Sequence, residues 1–382
     1  MQEIFKLDQA ATEVLAEKYG TPLLVMSLEQ VIKNYQFLAN ALPGVKIHYA
    51  VKANPERRLI KALMDSGSFF DVASDGEMLE LTALGIEPER MVYANPVKTT
   101  NGLKIALRTG VRKFTFDSAA EIGRMSELVP GGSVLLRIRV DNPLALVDLN
   151  TKFGAKADEA IPLLKAAKEQ GLDAAGLCFH VGSQSTSAKA YVDAIKVCAR
   201  LFAEAKAEGM ELRILDIGGG FPIPTLQESF DVAAMTTEIR EALQQYFPET
   251  EIWAEPGRFI CGTAVNLITK VIGKQVRNHQ QWYFLDEGLY GTFSGVIFDH
   301  WDFELETFKT GETIAATFAG PSCDSLDVMF RDKLTQPLDV GALIRVPACG
   351  AYTSASATVF NGFAKAPIMI WEELKDEVLP QK

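Results

Sequence analysis

The stretch IHYAVKANPERRLIKALMDSG (47–67) holds one complete strand-and-helix unit. IHYAV (47–51) is short, apolar and rich in β-branched and aromatic residues, which predicts a strand buried on both faces. A polar break follows at KANP. ERRLIKALMDSG then places apolar residues three and four apart, the pattern of an amphipathic helix, and Gly67 closes it.

Outward from this unit the pattern recurs from about Lys46 to Glu255. The further apolar runs are FFDVA (69–73), MVYA (91–94), KFTF (113–116), VLLRIRV (134–140), AGLCFHV (175–181), ILDI (214–217) and EIWA (251–254). Eight alternations suggest a closed parallel (β/α)8 barrel, although an open doubly wound sheet shares the local pattern. The polar residues favour the barrel. Nearly every strand ends in a chemically capable position: Lys52, Asp71, Asn95, Asp117, Arg137, His180, the glycines 218–220 and Glu255. A barrel converges these ends on one mouth, where that fold builds its active sites.

After about Val265 the texture changes. LITKVIGKQ, QQWYFLDEG, TIAATFAG and LIRVPACGAYT read as strands separated by turns. The expected division is a barrel over 23–265 and a mainly β domain built from 1–22 and 266–382. At 382 residues two domains are the default.

The formal net charge is −11, and no lysine or arginine cluster interrupts it, so nucleic acid is not an expected partner. No apolar run reaches the length of a membrane span, and the first residues lack an apolar leader core. The expected location is cytoplasmic. Cys178, Cys198, Cys261, Cys323 and Cys349 are odd in number and show no paired spacing, which suggests neither a disulfide framework nor a zinc site. The four histidines show no metal-binding spacing either, and no catalytic metal is expected.

Several motifs carry chemistry. A lysine at a strand end, as in HYAVKANP, can condense with an aldehyde cofactor, though alone it also reads as a snorkelling surface lysine. LDIGGGFP (215–222) lets backbone N–H groups approach an anion, but it is neither a dinucleotide fingerprint nor a P-loop. AEPGRF (254–259) sets Glu255 after the last strand, with Gly257 and Arg258 available to a phosphate. FHVGSQ (179–184) offers His180 to stack on a flat ring and Ser183 to donate to a phosphate oxygen. Each motif alone is also compatible with a turn or a structural contact.

The set and its order are more specific than any member. Lys52, FHVGSQ, GGG, EPGR, IFDH (297–300), CD (323–324) and GAYT (350–353) resemble the fold type III (alanine-racemase-like) pyridoxal-phosphate enzymes. Within that group they resemble the bacterial lysine/ornithine decarboxylases. The resemblance runs from HYAVKANP to FNGF (360–363).

It implies pyridoxal 5'-phosphate as cofactor, carried covalently by Lys52. Glu255 would face the ring nitrogen, His180 would stack on the ring, and Arg137 and Asp71 would lie near it. Ser183, Gly220, Gly257, Arg258 and Tyr352 would hold the phosphate. Asp299 and Asp324 would bind the distal ammonium of a small basic amino acid, ornithine or lysine, releasing putrescine or cadaverine for polyamine biosynthesis. Cys323 would give the proton to Cα from across a homodimer with shared active sites. Ornithine and lysine differ by one methylene, which discriminates by only about 1–3 kcal/mol, so dual use is expected.

Two other readings share the motifs. A diaminopimelate decarboxylase would want a cation for the distal carboxylate, and its family usually carries Glu where Asp324 stands. A non-catalytic, regulator-binding homologue would typically lose Lys52, Cys323 or the phosphate contacts, all of which are present. A nicotinamide enzyme on an open sheet lacks its fingerprint here.

Overall fold

The computed structural model describes residues 2–140, 142, 152–226 and 228–378. The chain divides into two compact units. One comprises Asn34–Ile223 and Ser229–Phe259; the other comprises Gln2–Lys33, Pro224–Glu228 and Ile260–Lys382.

The earliest strand, β1 (Leu23–Met26), belongs to the second unit, although the sequence boundary at residue 23 assigned it to the barrel. All four of its residues are buried. It pairs antiparallel with β10 (Val265–Arg277) and parallel with β15 (Ile368–Ile370), so its partners lie at the far end of the chain. A short apolar run does not reveal which sheet it will join.

The first unit is a closed eight-stranded parallel barrel. Its strands are β2 (Lys46–Ala50), β3 (Phe69–Val72), β4 (Met91–Tyr93), β5 (Lys113–Phe116), β6 (Ser133–Arg137), β7 (Asp173–Cys178), β8 (Ile214–Asp216) and β9 (Glu251–Ala254). Each coincides with one of the eight apolar runs. β9 closes on β2 through Lys46–Trp253 and Ile47–Ala254 pairs. Val92, Leu135, Ala175, Cys178, Ile214 and Trp253 fill part of the interior. Gly176 is obligatory there: a Cβ would lie 1.8 Å from the Ile214 carbonyl oxygen.

Helices return the chain between strands, and local capping sets several of their starts. Ser74 Oγ accepts from the Glu77 N–H, Thr99 caps Thr100–Thr109, and Asp231 caps Val232–Tyr246. Gly110, with φ 88°, ends the helix before β5 in the left-handed conformation that glycine adopts without strain.

In the second unit β10, β11 (Gln280–Leu285), β12 (Ile314–Ala319) and β13 (Val328–Thr335) continue the sheet, while β14 (Leu343–Val346) pairs with β10. The helix Gln9–Tyr19, capped by Asp8, packs Ala11 and Leu15, together with the preceding Leu7, against Leu23, Val25 and Ile268. Among the described residues no helix is long and apolar enough to cross a membrane.

Candidate active site

The C-terminal ends of the barrel strands surround a cavity of about 260 Å³. Lys52, Asp71, Ala73, Ala94, Asn95, Pro96, Arg137, Lys152, Phe153, His180 and Glu255 line it. Six of the polar residues marked in the sequence at strand ends therefore meet in one place. Asp117 takes another task and accepts the Gly154 N–H at 2.9 Å.

Lys52 sits on a single 3-10 turn (Val51–Ala53) directly after β2. Its Nζ donates to Asp71 Oδ2 at 3.1 Å. Asp71 lies within β3 and is buried, and its Oδ1 meets no donor among the described residues. Behind the pair, Glu77 accepts the Ala73 N–H at 2.6 Å. Burial raises the Glu77 carboxyl to about 7.

Glu255 follows β9, and its backbone N–H donates to the Gly218 carbonyl at 2.8 Å. Asp216 ends β8, and its Oδ1 accepts the Gly218 N–H at 2.8 Å. The two carboxyls stand at the ends of the neighbouring strands β8 and β9. Burial pushes both carboxyls upward, with the Asp216 and Asp71 charges adding to the rise at Glu255. Asp216 Oδ2 and Glu255 Oε1 meet no N–H or O–H donor among the described residues. Two ionised carboxylates are acceptors only, so a hydrogen bond between two such groups requires a shared proton.

His180 receives the Gly182 N–H on Nδ1 at 3.0 Å, which puts the ring proton on Nε2. Burial, then the Arg137 and Lys52 charges, hold the imidazole neutral. Arg137 ends β6 with its guanidinium 5.4 Å from the Phe153 ring centre, and its Nε and Nη2 meet no acceptor among the described residues. Ser183, Gly220 and Gly257 occupy strand-end loops and Arg258 opens the short helix Arg258–Cys261, all four outside the residues that line the cavity. Gly220 has φ 99°, and a Cβ there would lie 2.3 Å from the Gly182 carbonyl oxygen.

Pyridoxal phosphate fits these residues. Its aldehyde suits the lysine, and its ring nitrogen, carrying a proton, suits the unmet Glu255 oxygen. The glycine loop leaves room for close backbone approach to an anion.

The other resemblance-based residues lie in the second unit. Asp299 follows the short helix Gly295–Phe298. Tyr352 has φ 55°. Cys323 is exposed, and its N–H donates to Asn361 Oδ1 at 3.1 Å. Asp324 accepts the Leu326 N–H and the Tyr290 hydroxyl, and these bonds hold its carboxyl below the usual range.

Residues 28–262 match the family described as pyridoxal-dependent decarboxylase, pyridoxal binding domain. The chain belongs to the pyridoxal-dependent decarboxylases. It is 51% identical over 370 residues to the lysine/ornithine decarboxylase of Selenomonas ruminantium, covering 97% of this chain and 94% of that one. The crystal structure of SrLDC in complex with PLP and cadaverine superposes with a TM-score of 0.94 at 49% identity, covering 98% and 97%. The Vibrio vulnificus lysine/ornithine decarboxylase complexed with putrescine gives 0.88 at 35%, covering 94% and 96%. As a decarboxylase of this family the protein uses pyridoxal phosphate, and its barrel is the pyridoxal-binding one.

Lys152 and Phe153 of the cavity lining escaped the sequence reading, as did two carboxylates next to lining residues, Asp216 and Glu77. Asp216 stands inside the LDIGGG motif, where the glycines drew the attention, yet a carboxylate at the end of a buried strand is itself a signal. Glu77 belongs to SDGE (74–77), a pattern that reads first as a helix cap.

Proposed function

We propose that this decarboxylase acts on L-lysine and L-ornithine, releasing cadaverine and putrescine. The observation that carries the reading is the gathering of Lys52, Asp71, Arg137, His180 and Glu255 around one cavity. A relative named lysine/ornithine decarboxylase, and solved relatives that bind cadaverine or putrescine, point to the same substrates.

Bound pyridoxal phosphate supplies an electron sink for the pair left at Cα when carbon dioxide departs. Lys52 holds the cofactor through Nζ, with Asp71 fixing the amine. Glu255 keeps the ring nitrogen protonated, and neutral His180 offers a flat face without placing a second cation beside Arg137. Ser183, Gly220, Gly257, Arg258 and Tyr352 hold the phosphate. Asp299 and Asp324 take the distal ammonium, and Asp324 is ionised at neutral pH, as that task requires. Cys323 delivers the proton to Cα.

Cys323 and Asp324 act in the partner's site of a homodimer. Supporting this, the second unit exposes Leu326 beside them, and also exposes Phe360, which stacks on the Tyr290 ring at 4.2 Å. Apolar surface of this kind is commonly covered by a partner. Five free cysteines support a reducing, cytoplasmic setting.

The test is product identity and steady-state rate with lysine, ornithine and diaminopimelate on protein reconstituted with pyridoxal phosphate. Cadaverine and putrescine support the proposal. Lysine formed from diaminopimelate would overturn the substrate assignment, and no turnover would favour a non-catalytic homologue.

A further inference from the structure

The carboxyl of Asp216 has no place in the roles above, yet it is fully buried at the end of β8, where it holds the Gly218 N–H of the glycine loop. One oxygen accepts the Gly218 N–H, while Oδ2 meets no donor among the described residues, and neither does Glu255 Oε1. The Glu255 backbone is tied to the same glycine, since its N–H donates to the Gly218 carbonyl. β8 and β9 are neighbouring strands, with Asp216 paired to Trp253 two residues before Glu255. The Glu255 backbone and the Asp216 carboxyl are therefore both tied to Gly218 at one two-strand corner.

We propose that Asp216 is a positioning residue: anchored by the Gly218 N–H, it hydrogen-bonds the Glu255 carboxyl and sets the orientation in which Glu255 meets the cofactor's ring nitrogen. This deepens the proposed function and rests on the assignment of Glu255 to that nitrogen. The proton balance is simple. A carboxyl-to-carboxyl hydrogen bond contains one proton. With Glu255 ionised against a protonated ring nitrogen, that proton resides on Asp216, which donates it to one Glu255 oxygen and leaves the other for the ring.

The physical gain is orientation. A glutamate has three side-chain torsions, and a donor on one oxygen removes most of that freedom before the cofactor arrives. A side chain that merely filled space would not need a donor at this position. The Asn side chain is therefore the informative replacement. Its oxygen can still accept from Gly218 and its amide can still donate to Glu255, whereas Ala does neither.

The experiment is titration of apo-protein with pyridoxal 5'-phosphate, followed by the absorbance of the bound cofactor. It compares wild type, Asp216→Asn, Asp216→Ala, Glu255→Gln and the Asp216→Ala/Glu255→Gln double variant. We expect Asp216→Asn to bind within a few-fold of wild type and Asp216→Ala to lose roughly 10- to 100-fold, the range for a hydrogen bond to a charged group. We also expect Asp216→Ala to add little loss in the Glu255→Gln background, because its action passes through Glu255. Additive losses, or an Asn variant as weak as the Ala variant, would overturn the proposal. Should Asp216→Ala fail to fold, the Asn variant alone decides it: retained affinity supports the hydrogen bond and a large loss contradicts it. If Glu255→Gln by itself leaves cofactor affinity and absorbance unchanged, the assignment of Glu255 fails, which is a separate result.

Discussion

Lys52 Nζ lies 3.1 Å from Asp71 Oδ2 in a markedly asymmetric salt bridge: the lysine side chain is 47% exposed and the aspartate 1%. The buried partner is the fixed one, held within β3, while the amine faces the cavity. Such an arrangement aims a nucleophile without enclosing it. Replacing Asp71 with Ala should leave the barrel folded and the cofactor attached, and should lower kcat by roughly tenfold. That figure is modest because solvent at the half-exposed lysine weakens the pair. Steady-state kinetics with the absorbance of bound cofactor check this. A lost absorbance band with an unchanged residual rate would contradict it.

Gly219 tests the closeness of the glycine loop to its neighbours. A Cβ there would lie 2.4 Å from the Glu255 carbonyl oxygen and 3.3 Å from His180 Nε2. Its φ lies outside the left-handed region, so the conflict is contact and not backbone strain. Gly219→Ala should shift the loop against Glu255 and His180 and weaken cofactor affinity by an order of magnitude or more, at a stability cost of about 1–3 kcal/mol. Equilibrium binding of pyridoxal phosphate reads the effect, and wild-type affinity would show that the loop does not approach the cofactor.

At the other end of the barrel His48 gives a pH signature. It is fully buried between Phe69 and Trp253, and burial lowers its pKa from 6.5 to about 3, with the Lys113 and Lys46 charges contributing. The unfolded chain therefore takes up this proton first. The stability contributed by the neutral ring is fully present above about 6.5 and is lost as pH falls toward 3, by at most about 1.4 kcal/mol per pH unit. Glu77 and Glu287, both raised to about 7, act in the opposite sense as pH falls through that value. The test is consequently a difference: the fall in Tm between pH 7 and pH 5 should be smaller by a few degrees in His48→Leu than in wild type. Equal falls would remove His48 from the acid sensitivity.

Cys323 tests the shared site. Cys323→Ala should retain cofactor and process substrate slowly or to an abnormal product, since proton delivery to Cα is lost. If the cysteine serves the partner's site, mixing this variant with Lys52→Ala should create hybrid dimers with one intact site. Random exchange would restore about a quarter of wild-type activity. A mixture no more active than its components would place Cys323 in its own subunit's site, or outside the mechanism.

The barrel was legible because each of its strands is a short apolar run bounded by breakers, and because the polar residues closing those runs converge. Lys52, Asp71, Arg137, His180 and Glu255 could be named before any coordinates, and the cavity gathers all five. β1 was assigned to the wrong side of the domain boundary because LLVM carries no information about partners that lie some 240 residues later in the chain. β13 escaped because its second half, RDKLT, is largely polar, and β15 because it is only three residues long. Asp216 and Glu77 were hidden by motifs with an adequate local explanation, a glycine turn and a helix cap. Their contribution depends on burial and on a neighbouring carboxylate, and neither property is written in local sequence.

The central claim is that Lys52 carries the cofactor. The most direct measurement is borohydride reduction of the protein reconstituted with pyridoxal phosphate, followed by peptide mass mapping. The account predicts one reduced cofactor adduct, on the peptide containing Lys52, and none in Lys52→Ala. A stoichiometric adduct on any other lysine, with Lys52 unmodified, would contradict it.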